Sequence, residues 1–329
     1  MGCRMNPCPH LNADDFPDWS KKLRRPSHDQ YYAMYSSIFG GIVTDPRLMM
    51  VPVDDHMVHR GDGVFETVKF VNGGIYNLKA HLDRLCSSAR GLALGLPCSP
   101  EDMADIIVQT ARAAGKREGL IRVLLSRGPG SLGVNPYDCP APALYVVVSE
   151  FGKPFMDLHP EGARAKTSSM PVKPSPFSNI KSVNYLFNAL MKKEAADAGV
   201  DFAVSFDENG FLAEAPTENV GIVTDSGALQ VPRPDRILSG TTMNRVLELA
   251  RQLVDLGRLA HAGSADISRP DVLKAREMLI FGTTPDVTAV VEFDGEPIGG
   301  GKPGPVFRAL SRLLLDDIYH NPALRTSVF

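Results

Sequence analysis

Hydrophobic and polar positions along the first part of the chain predict alternating strands and helices. Residues 64–71 are rich in β-branched and aromatic side chains, which indicates a strand, and Asn72-Gly73 directly after it predicts a hairpin turn. Apolar residues between positions 78 and 94 recur at helical spacing. Ser99 followed by Pro100 predicts the start of a second helix, because Ser caps a helix and Pro fits its first turn.

The rest of the chain continues this alternation. Further strands are expected at residues 35–43, 48–53, 120–126, 143–148, 163–170, 202–206, 219–224 and 278–281. Further helices are expected at about residues 182–198, 242–254 and 305–317. The pattern therefore predicts an α/β (α+β) chain with mixed sheets.

Size and local composition predict two domains. A single hydrophobic core stops growing near ~250–300 residues, and this chain has 329. Gly152, Pro154 and Pro160 mark a change in composition where we place the boundary. We expect a smaller α/β domain at residues 31–152 and a larger domain at residues 153–329. Residues 1–30 are polar and are expected to form an arm of little intrinsic structure, either solvated or lying on a partner subunit.

Composition excludes several classes of protein. Hydrophobic residues make up 43% of the chain and the net charge is -3, which is ordinary for a globular protein and argues against a nucleic-acid or membrane-surface partner. No apolar run approaches the roughly 20 residues of a membrane helix, and the N-terminus lacks the apolar stretch of a signal peptide. The five cysteines have no familiar metal spacing, so we expect reduced thiols, a cytoplasmic location and no metal site.

Gly128-Pro-Gly130-Ser-Leu-Gly133 matches the dinucleotide-binding pattern G-x-G-x-x-G, and a predicted strand precedes it. That motif requires a helix to begin within it, with its N-terminus facing the pyrophosphate. Pro136 and Pro140 follow directly, and proline in a helix interior disrupts it. We therefore reject nucleotide binding at this site.

Four other segments carry candidate chemistry. Lys181 precedes a predicted helix among apolar residues, and a lysine there can lose its proton and act as a nucleophile. Glu214 lies in a loop and can hold a ring nitrogen protonated, while Arg84 can bind a phosphate through two hydrogen bonds. Residues 239–242, at a helix start, and residues 282–284, after a strand, offer hydroxyls and free N–H groups. Each segment alone also fits a structural role: a surface lysine, a loop acid, a solvated helix face or a cap.

Taken together, these motifs resemble a known family. His59-Arg-Gly-Asp-Gly-Val-Phe-Glu-Thr67, His81-x-x-Arg84, Ile180-Lys-Ser-Val-Asn-Tyr185, Glu214-x4-Asn219 and Leu238-Ser-Gly-Thr-Thr242 occur in the order found in class IV (fold type IV) pyridoxal 5′-phosphate (PLP) enzymes. The resemblance covers about residues 35–325. Within the family, the segments 51–61 and 181–186 are most similar to the plant-type D-amino acid aminotransferases.

The resemblance implies a role for each matching position. Lys181 resembles the Schiff-base lysine, Glu214 the partner of the pyridine nitrogen, and Tyr185 a hydrogen-bond donor to the ring oxygen. It implies that the other residues of the cofactor site are Arg84, Asn219, Gly240, Thr241, Thr242 and Thr283, with the phosphate held by the arginine and the three threonines. It also implies a homodimer with active sites near the subunit interface.

The chain departs from the family pattern where substrates are selected. Met243 stands where branched-chain enzymes usually carry an arginine, and Leu132-Gly-Val134 replaces the R-x-H carboxylate trap of bacterial D-amino acid aminotransferases. An amino acid substrate still brings a carboxylate that needs a charged partner when desolvated. Arg60 and Arg122 are our candidates for that partner, and Phe65 is a further candidate for substrate binding.

The sequence thus predicts a PLP-dependent aminotransferase that exchanges amino groups between amino acids, with D-amino acids expected, and 2-oxo acids. Lys181 would act as base and acid, moving the Cα proton of the substrate. The alternatives left open are a 4-amino-4-deoxychorismate lyase, a branched-chain aminotransferase and a non-catalytic PLP carrier.

Overall fold

The computed structural model describes residues 10–173 and 175–329. Within this part, strands and helices alternate in the way the sequence predicts, and the α/β class is confirmed. The described strands are β1 (Tyr31–Ser36), β2 (Gly41–Val43), β3 (Gly63–Val71), β4 (Gly74–Tyr76), β5 (Gly119–Ser126), β6 (Ala143–Ser149), β7 (Ala163–Thr167), β8 (Phe202–Val204), β9 (Asn219–Val223), β10 (Ala228–Pro232), β11 (His261–Ala265), β12 (Glu277–Gly282), β13 (Asp286–Phe293), β14 (Glu296–Pro297) and β15 (Arg325–Ser327).

The helices cover the outer faces of two sheets and the junction between them. The described α-helices are α1 (Phe16–Trp19), α2 (His56–Arg60), α3 (Leu78–Gly91), α4 (Pro100–Ala113), α5 (Phe155–Leu158), α6 (Leu186–Asp197), α7 (Thr241–Asp255), α8 (Arg269–Leu273) and α9 (Pro305–His320). None of the described helices has both the length and the apolar composition needed to cross a membrane.

The first sheet has the strand order β15-β4-β3-β5-β6-β1-β2. All of its pairs are antiparallel, so the expectation of a mixed sheet was wrong for this half of the chain. Strand β3 is buried along nearly its whole length, because α3 covers one face and the second half of the chain covers the other. The turn at Asn72-Gly73 forms as predicted, with both residues at positive φ.

The second sheet is mixed, with the order β11-β10-β9-β12-β13-β7-β8 and β14 paired to β13. Its central strands β9 and β12 are buried on both faces. Helices α7 and α9 pack on one side of it, and two apolar cores form from the two faces of the sheet. All strands of this sheet come from residues 153–329, the range expected for the larger domain.

Four expectations about the structure were wrong. Residues 48–53 form no strand, and residues 35–43 form the hairpin β1–β2 rather than one strand. Strand β15 pairs with β4, so the end of the chain returns to the first sheet instead of staying in the second. Residues 13–30 fold into short helical turns rather than an unstructured arm, since Asp15 caps the first turn and Phe16 packs edge-on against Trp19 at 4.7 Å. Residues 1–9 of the expected arm lie outside the described residues.

Asp317 on α9 joins the two halves of the chain in a buried position. Its carboxylate accepts hydrogen bonds from the Tyr76 hydroxyl at the end of β4 and from Arg245 on α7. The Asn321 side chain donates a further bond to Asp317. A buried carboxylate is tolerated only when its oxygens are satisfied in this way, so the cluster fixes the position of α9 against the first sheet.

The described cysteines are Cys86, Cys98 and Cys139, and all three are free thiols. Burial raises the pKa of each of them, which keeps them protonated and unreactive near neutral pH. No cluster of His, Cys, Asp and Glu that could hold a metal occurs among residues 10–173 and 175–329. The remaining cysteines, Cys3 and Cys8, lie outside the described residues.

Candidate active site

A cavity of about 180 Å³ lies between the two sheets and brings together nearly all of the predicted site residues. Its walls come from β3, α3 and β5 on one side and from the loops before β9, α7 and β13 on the other. The predicted residues that line it are Phe65, Arg84, Arg122, Lys181, Tyr185, Asn219, Gly240, Thr241, Thr242 and Thr283. The two exceptions are Glu214, which lines an adjoining cavity, and Arg60, which lies elsewhere.

Lys181 sits on a segment of the second half of the chain that docks against the first sheet. Its carbonyl accepts a hydrogen bond from the Phe65 N–H at 3.0 Å, and Ser182 forms a β-bridge with Val64. The Lys181 Nζ donates to the Tyr185 hydroxyl at 3.1 Å and lies 4.5 Å from the centre of the Phe65 ring. The amine is therefore held at the bottom of the cavity by both halves of the chain.

The surroundings of Lys181 lower its pKa to about 8, first through burial and then through the positive charge of Arg84. The free amine is the nucleophilic form, so the rate at which the apoprotein takes up PLP covalently should follow deprotonation of this lysine. We expect that rate to rise about tenfold between about pH 7 and about pH 9 and then to level off. Absorbance of the bound cofactor measures it, and a rate that keeps rising towards the ordinary lysine pKa of ~10.4 would contradict the assignment.

Glu66 holds in place Arg84, the arginine of α3 that lines the cavity. Its buried carboxylate accepts two hydrogen bonds from Arg84, at 2.7 and 2.8 Å, and one from His81 at 2.7 Å. Burial alone would raise the pKa of Glu66, but the charge of Arg84 and the hydrogen bonds from Arg84 and His81 lower it to about 2. The carboxylate thus stays charged and fixes the guanidinium in a single orientation.

His81 connects the Glu66 carboxylate to Thr241 at the start of α7. Burial lowers the pKa of His81, so the ring is neutral and its Nδ1–H donates to Glu66. Its Nε2 then accepts from the Thr241 hydroxyl, 3.3 Å away. Glu66 therefore lies at the centre of one hydrogen-bond network, which reaches Arg84 directly and Thr241 through His81.

The N-terminus of α7 is suited to bind an anion. Thr241 and Thr242 begin the helix, and Gly240 is its N-cap, so unpaired N–H groups and the positive end of the helix dipole face the cavity. A Cβ at Gly240 would lie 1.8 Å from the Asn219 side-chain oxygen, so only glycine fits. Asn219 in turn donates to the Leu238 carbonyl at 2.8 Å and holds the loop before the helix.

Glu214 lies behind the cavity wall in a smaller cavity that shares Tyr185 and Asn219 with the larger one. Its carboxylate accepts a hydrogen bond from the Leu238 N–H at 3.1 Å. Burial raises the pKa of Glu214, and the Leu238 N–H and the charges of Lys173 and Lys181 oppose that shift. A buried carboxylate in this setting gains most by pairing with a protonated ring nitrogen.

Arg122 and Arg60, the two candidates for the substrate carboxylate, occupy different places. Arg122 on β5 lines the cavity opposite Thr67, and its guanidinium lies 5.3 Å from the centre of the Phe65 ring. Arg60 at the end of α2 donates to the carbonyls of His59 and of the 131–134 loop, outside this cavity. In a single chain, then, only one of the two arginines reaches the site.

These residues fit PLP. Lys181 is a buried, easily deprotonated amine that would bind the cofactor aldehyde, and Glu214 is a half-buried carboxyl that would pair with its ring nitrogen. Arg84, the α7 N-terminus and the Thr283 hydroxyl surround the position for its phosphate.

The fold and the site define a class of protein, and sequence comparison agrees with it. The family model described as amino-transferase class IV matches residues 63–293. The chain belongs to the class IV aminotransferases, and it is an enzyme that uses PLP to exchange amino groups between amino acids and 2-oxo acids.

Individual relatives carry different names within this class. The chain is 43% identical over 294 residues, 89% of its length and 78% of the relative's, to the chloroplastic D-amino-acid transaminase of Arabidopsis thaliana. It is 33% identical to a putative branched-chain-amino-acid aminotransferase of Methanocaldococcus jannaschii, covering 84% of this chain and 94% of that protein. The crystal structure of the T.th. branched-chain amino acid aminotransferase complexed with N-(5'-phosphopyridoxyl)-L-glutamate superposes with a TM-score of 0.82 at 30% identity, covering 91% of this chain and 99% of that one.

The geometry is compatible with a role for Lys181 in proton transfer. When bound, PLP withdraws electrons from the substrate's Cα, so the bond to the Cα hydrogen weakens. Lys181 would be suited to remove that proton and return it, because its pKa of about 8 lets it exist in both forms near neutral pH. Tyr185 accepts a hydrogen bond from Lys181 and keeps the amine on the cavity side, while Phe65 at 4.9 Å holds the Tyr185 ring.

Sequence reasoning missed three residues of the site. Glu66 lies inside a quoted motif, but nothing in its local pattern shows that Arg84 and His81 meet on it. Lys173 lies 4.8 Å from the centre of the Tyr185 ring, and Glu218 lines both cavities. A single signal could have indicated Glu66, namely a charged residue inside a largely apolar strand, since such a charge must be paired when it is buried.

Proposed function

We propose that this enzyme is a D-amino acid transaminase, acting on substrates such as D-alanine, D-aspartate or D-glutamate. The observation that carries the proposal is the 43% identity to the D-amino-acid transaminase of Arabidopsis thaliana over 89% of the chain. The D-alanine aminotransferase of Bacillus licheniformis, 24% identical over 87% of the chain, agrees with it. The cavity adds a cation, Arg122, suited to the carboxylate that every amino acid carries.

A half-reaction screen tests the proposal. The PLP form of the enzyme is mixed with D- and L-isomers of alanine, aspartate, glutamate and leucine, and conversion of the bound cofactor to its amine form is followed by absorbance. We expect the D-isomers of the first three to react fastest. Faster reaction with L-leucine would favour the second candidate, a branched-chain aminotransferase, which the relative from Methanocaldococcus jannaschii and the T.th. crystal structure support.

Arg122 is proposed to bind the substrate carboxylate. It lines the cavity on the same strand face as Leu120 and Leu124, and its guanidinium makes no hydrogen bond or salt bridge with any residue in the described part of the chain. The aromatic face of Phe65 orients it through a cation–π contact while leaving its N–H groups available. A cation that is held in place but unpaired is suited to binding a carboxylate through two hydrogen bonds.

Replacing Arg122 by Leu should raise KM for amino acids and 2-oxo acids at least tenfold, about 1.4 kcal/mol, while PLP stays bound. Arg60→Leu is the matched control, since Arg60 is bound to backbone carbonyls outside the cavity and should leave KM nearly unchanged. Steady-state kinetics with saturating co-substrate measure both variants. An unchanged KM in Arg122→Leu, or a larger rise in Arg60→Leu, would place the carboxylate site elsewhere.

A homodimer is proposed as the working form. Large apolar side chains are exposed on the 131–139 loop and at the start of α6, for example Leu132 at 65%, Tyr137 at 91% and Leu186 at 70%. Exposed apolar patches of this kind are typical of protein–protein contacts. Light scattering should give twice the 35.7 kDa mass of one chain, and a single-chain mass at micromolar concentration would contradict the proposal.

A further inference from the structure

A buried ion pair that takes no part in the chemistry described above joins the two halves of the chain. Lys69 on β3 donates a hydrogen bond to Asp286, the first residue of β13, and their side chains are only 5% and 8% exposed. Removing two charges from water costs several kcal/mol per ion before their attraction is counted. The positions of Lys69 and Asp286 in the fold show which segments the ion pair connects.

On the first-sheet side, the pair continues the strand face that lines the active site. Alternate residues of a strand point to the same face, so Phe65, Thr67 and Lys69 share one face of β3. Phe65 and Thr67 line the cavity, and Lys69 stands one step further along the same face. Lys69 therefore continues this row and reaches across to the second sheet.

On the second-sheet side, the pair holds the turn that presents Thr283. The cavity wall includes Thr283 and Pro285, and Asp286 follows directly. Asp286 has φ +55°, a left-handed conformation that costs energy for a residue other than glycine and persists only where neighbouring contacts hold it. The salt bridge to Lys69 supplies such a contact at the base of the turn.

The same two residues close the back of the phosphate end of the site. Lys69 and Asp286 line a small space of about 10 Å³ together with Thr241, Thr242 and Thr283. On their other side they line a second cavity of about 340 Å³, bounded by Phe151 and Tyr319. The ion pair thus forms the wall between the phosphate ligands and a separate cavity.

We propose that Lys69 and Asp286 are positioning residues that set the affinity for PLP. Their salt bridge ties the Thr283–Pro285 turn of the second sheet to β3 of the first, so that Thr283 and the α7 N-terminus face the same phosphate. Neither side chain touches the substrate or the reacting atoms. The pair therefore contributes to cofactor retention and leaves the rate of the loaded enzyme nearly unchanged.

The test uses the double variant Lys69→Met/Asp286→Asn, which removes the tether without leaving a buried charge unpaired, and Asp286→Asn alone as a second variant. Asn tolerates the left-handed backbone, so the turn is not strained further. We expect at least a tenfold higher Kd of the apoprotein for PLP in both. We also expect a smaller rise in apoprotein Tm when inorganic phosphate is added, while kcat at saturating PLP stays within about twofold.

Two comparisons distinguish this role from general stability. Lys69→Arg keeps the salt bridge, so its Kd for PLP should equal that of the wild-type enzyme. Asp317→Asn weakens a different buried contact between the two halves of the chain, at Tyr76 and Arg245, and should lower Tm without changing that Kd. Wild-type PLP affinity and phosphate response in either Asp286 variant would overturn the proposal, as would an equal loss of affinity in Asp317→Asn. A loss of kcat at saturating PLP with unchanged PLP affinity would overturn it as well, because the pair would then act on the reaction and not on cofactor retention.

Discussion

Lys181→Ala is expected to retain PLP without a covalent bond and to lose transamination by at least about 10³-fold, since general acid–base catalysis alone contributes 10²–10⁴. The amine of Lys181 is held at the base of the cavity, with a pKa lowered to about 8 by burial and by Arg84. No other described lysine lines this cavity, so the proton at the substrate's Cα has no comparable acceptor. Single-turnover reaction with a D-amino acid measures the loss.

Borohydride reduction of the yellow holoenzyme followed by peptide mapping checks the same assignment chemically. The label should fall on Lys181 and disappear in Lys181→Ala. Lys173→Ala is the matched control, because Lys173 lines the adjoining cavity and lies against the Tyr185 ring at 4.8 Å. That variant should keep both the label and the colour, whereas a label found on Lys173 would refute the assignment of Lys181.

Glu214→Gln is expected to keep PLP but to slow the half-reaction by about 10²-fold or more, the scale seen when a preorganised electrostatic partner is removed. A neutral amide cannot hold the cofactor's ring nitrogen protonated, so electrons from the substrate's Cα lose their acceptor. Cofactor affinity should persist, because Arg84, Thr241 and Thr242 remain at the phosphate position. The half-reaction rate and the PLP content of the purified variant are measured together.

Glu218→Gln provides the comparison for this effect. Glu218 is also a half-buried acid whose pKa is raised by desolvation, and it lines the same small cavity as Glu214. Its carboxylate is held by the N–H and hydroxyl of the neighbouring Thr217. We expect a clearly smaller rate loss than in Glu214→Gln. Equal losses in the two variants would mean that the charge of the region, and not Glu214 itself, supports the chemistry.

Local patterns were sufficient wherever a short stretch decides its own conformation. The Asn72-Gly73 turn forms because its two residues adopt positive φ with little cost, and Ser99 caps α4 by accepting a hydrogen bond from the Asp102 N–H. No α-helix begins in the Gly128–Gly133 motif, as the prolines after it predict, and only a short 3-10 turn at Pro136–Asp138 follows. The predicted helices and most predicted strands are present, with ends shifted by a few residues.

Patterns failed where a segment is held by distant contacts. Residues 48–53 are apolar enough for a strand, yet β2 is followed by a loop whose apolar side chains pack near Tyr145 instead of pairing. Strand β13 was not predicted, although its residues are rich in valine, because a bend at Asp286 separates it from β12. The final strand β15 has no strong pattern of its own and forms because β4 offers it an edge.

By itself, the sequence determined the fold class and the family, and it predicted the residues that the structure brings to one cavity, because these depend on motifs whose members are close in the chain and whose order is characteristic. Only the tertiary structure decided which charged residues meet across the two sheets. Glu66 orders Arg84 and His81, Lys69 pairs with Asp286, and Arg122 reaches the cavity while Arg60 does not. The physical reason is that the strength of a charge pair depends on distance and burial, and both are set by how two separately folded sheets pack.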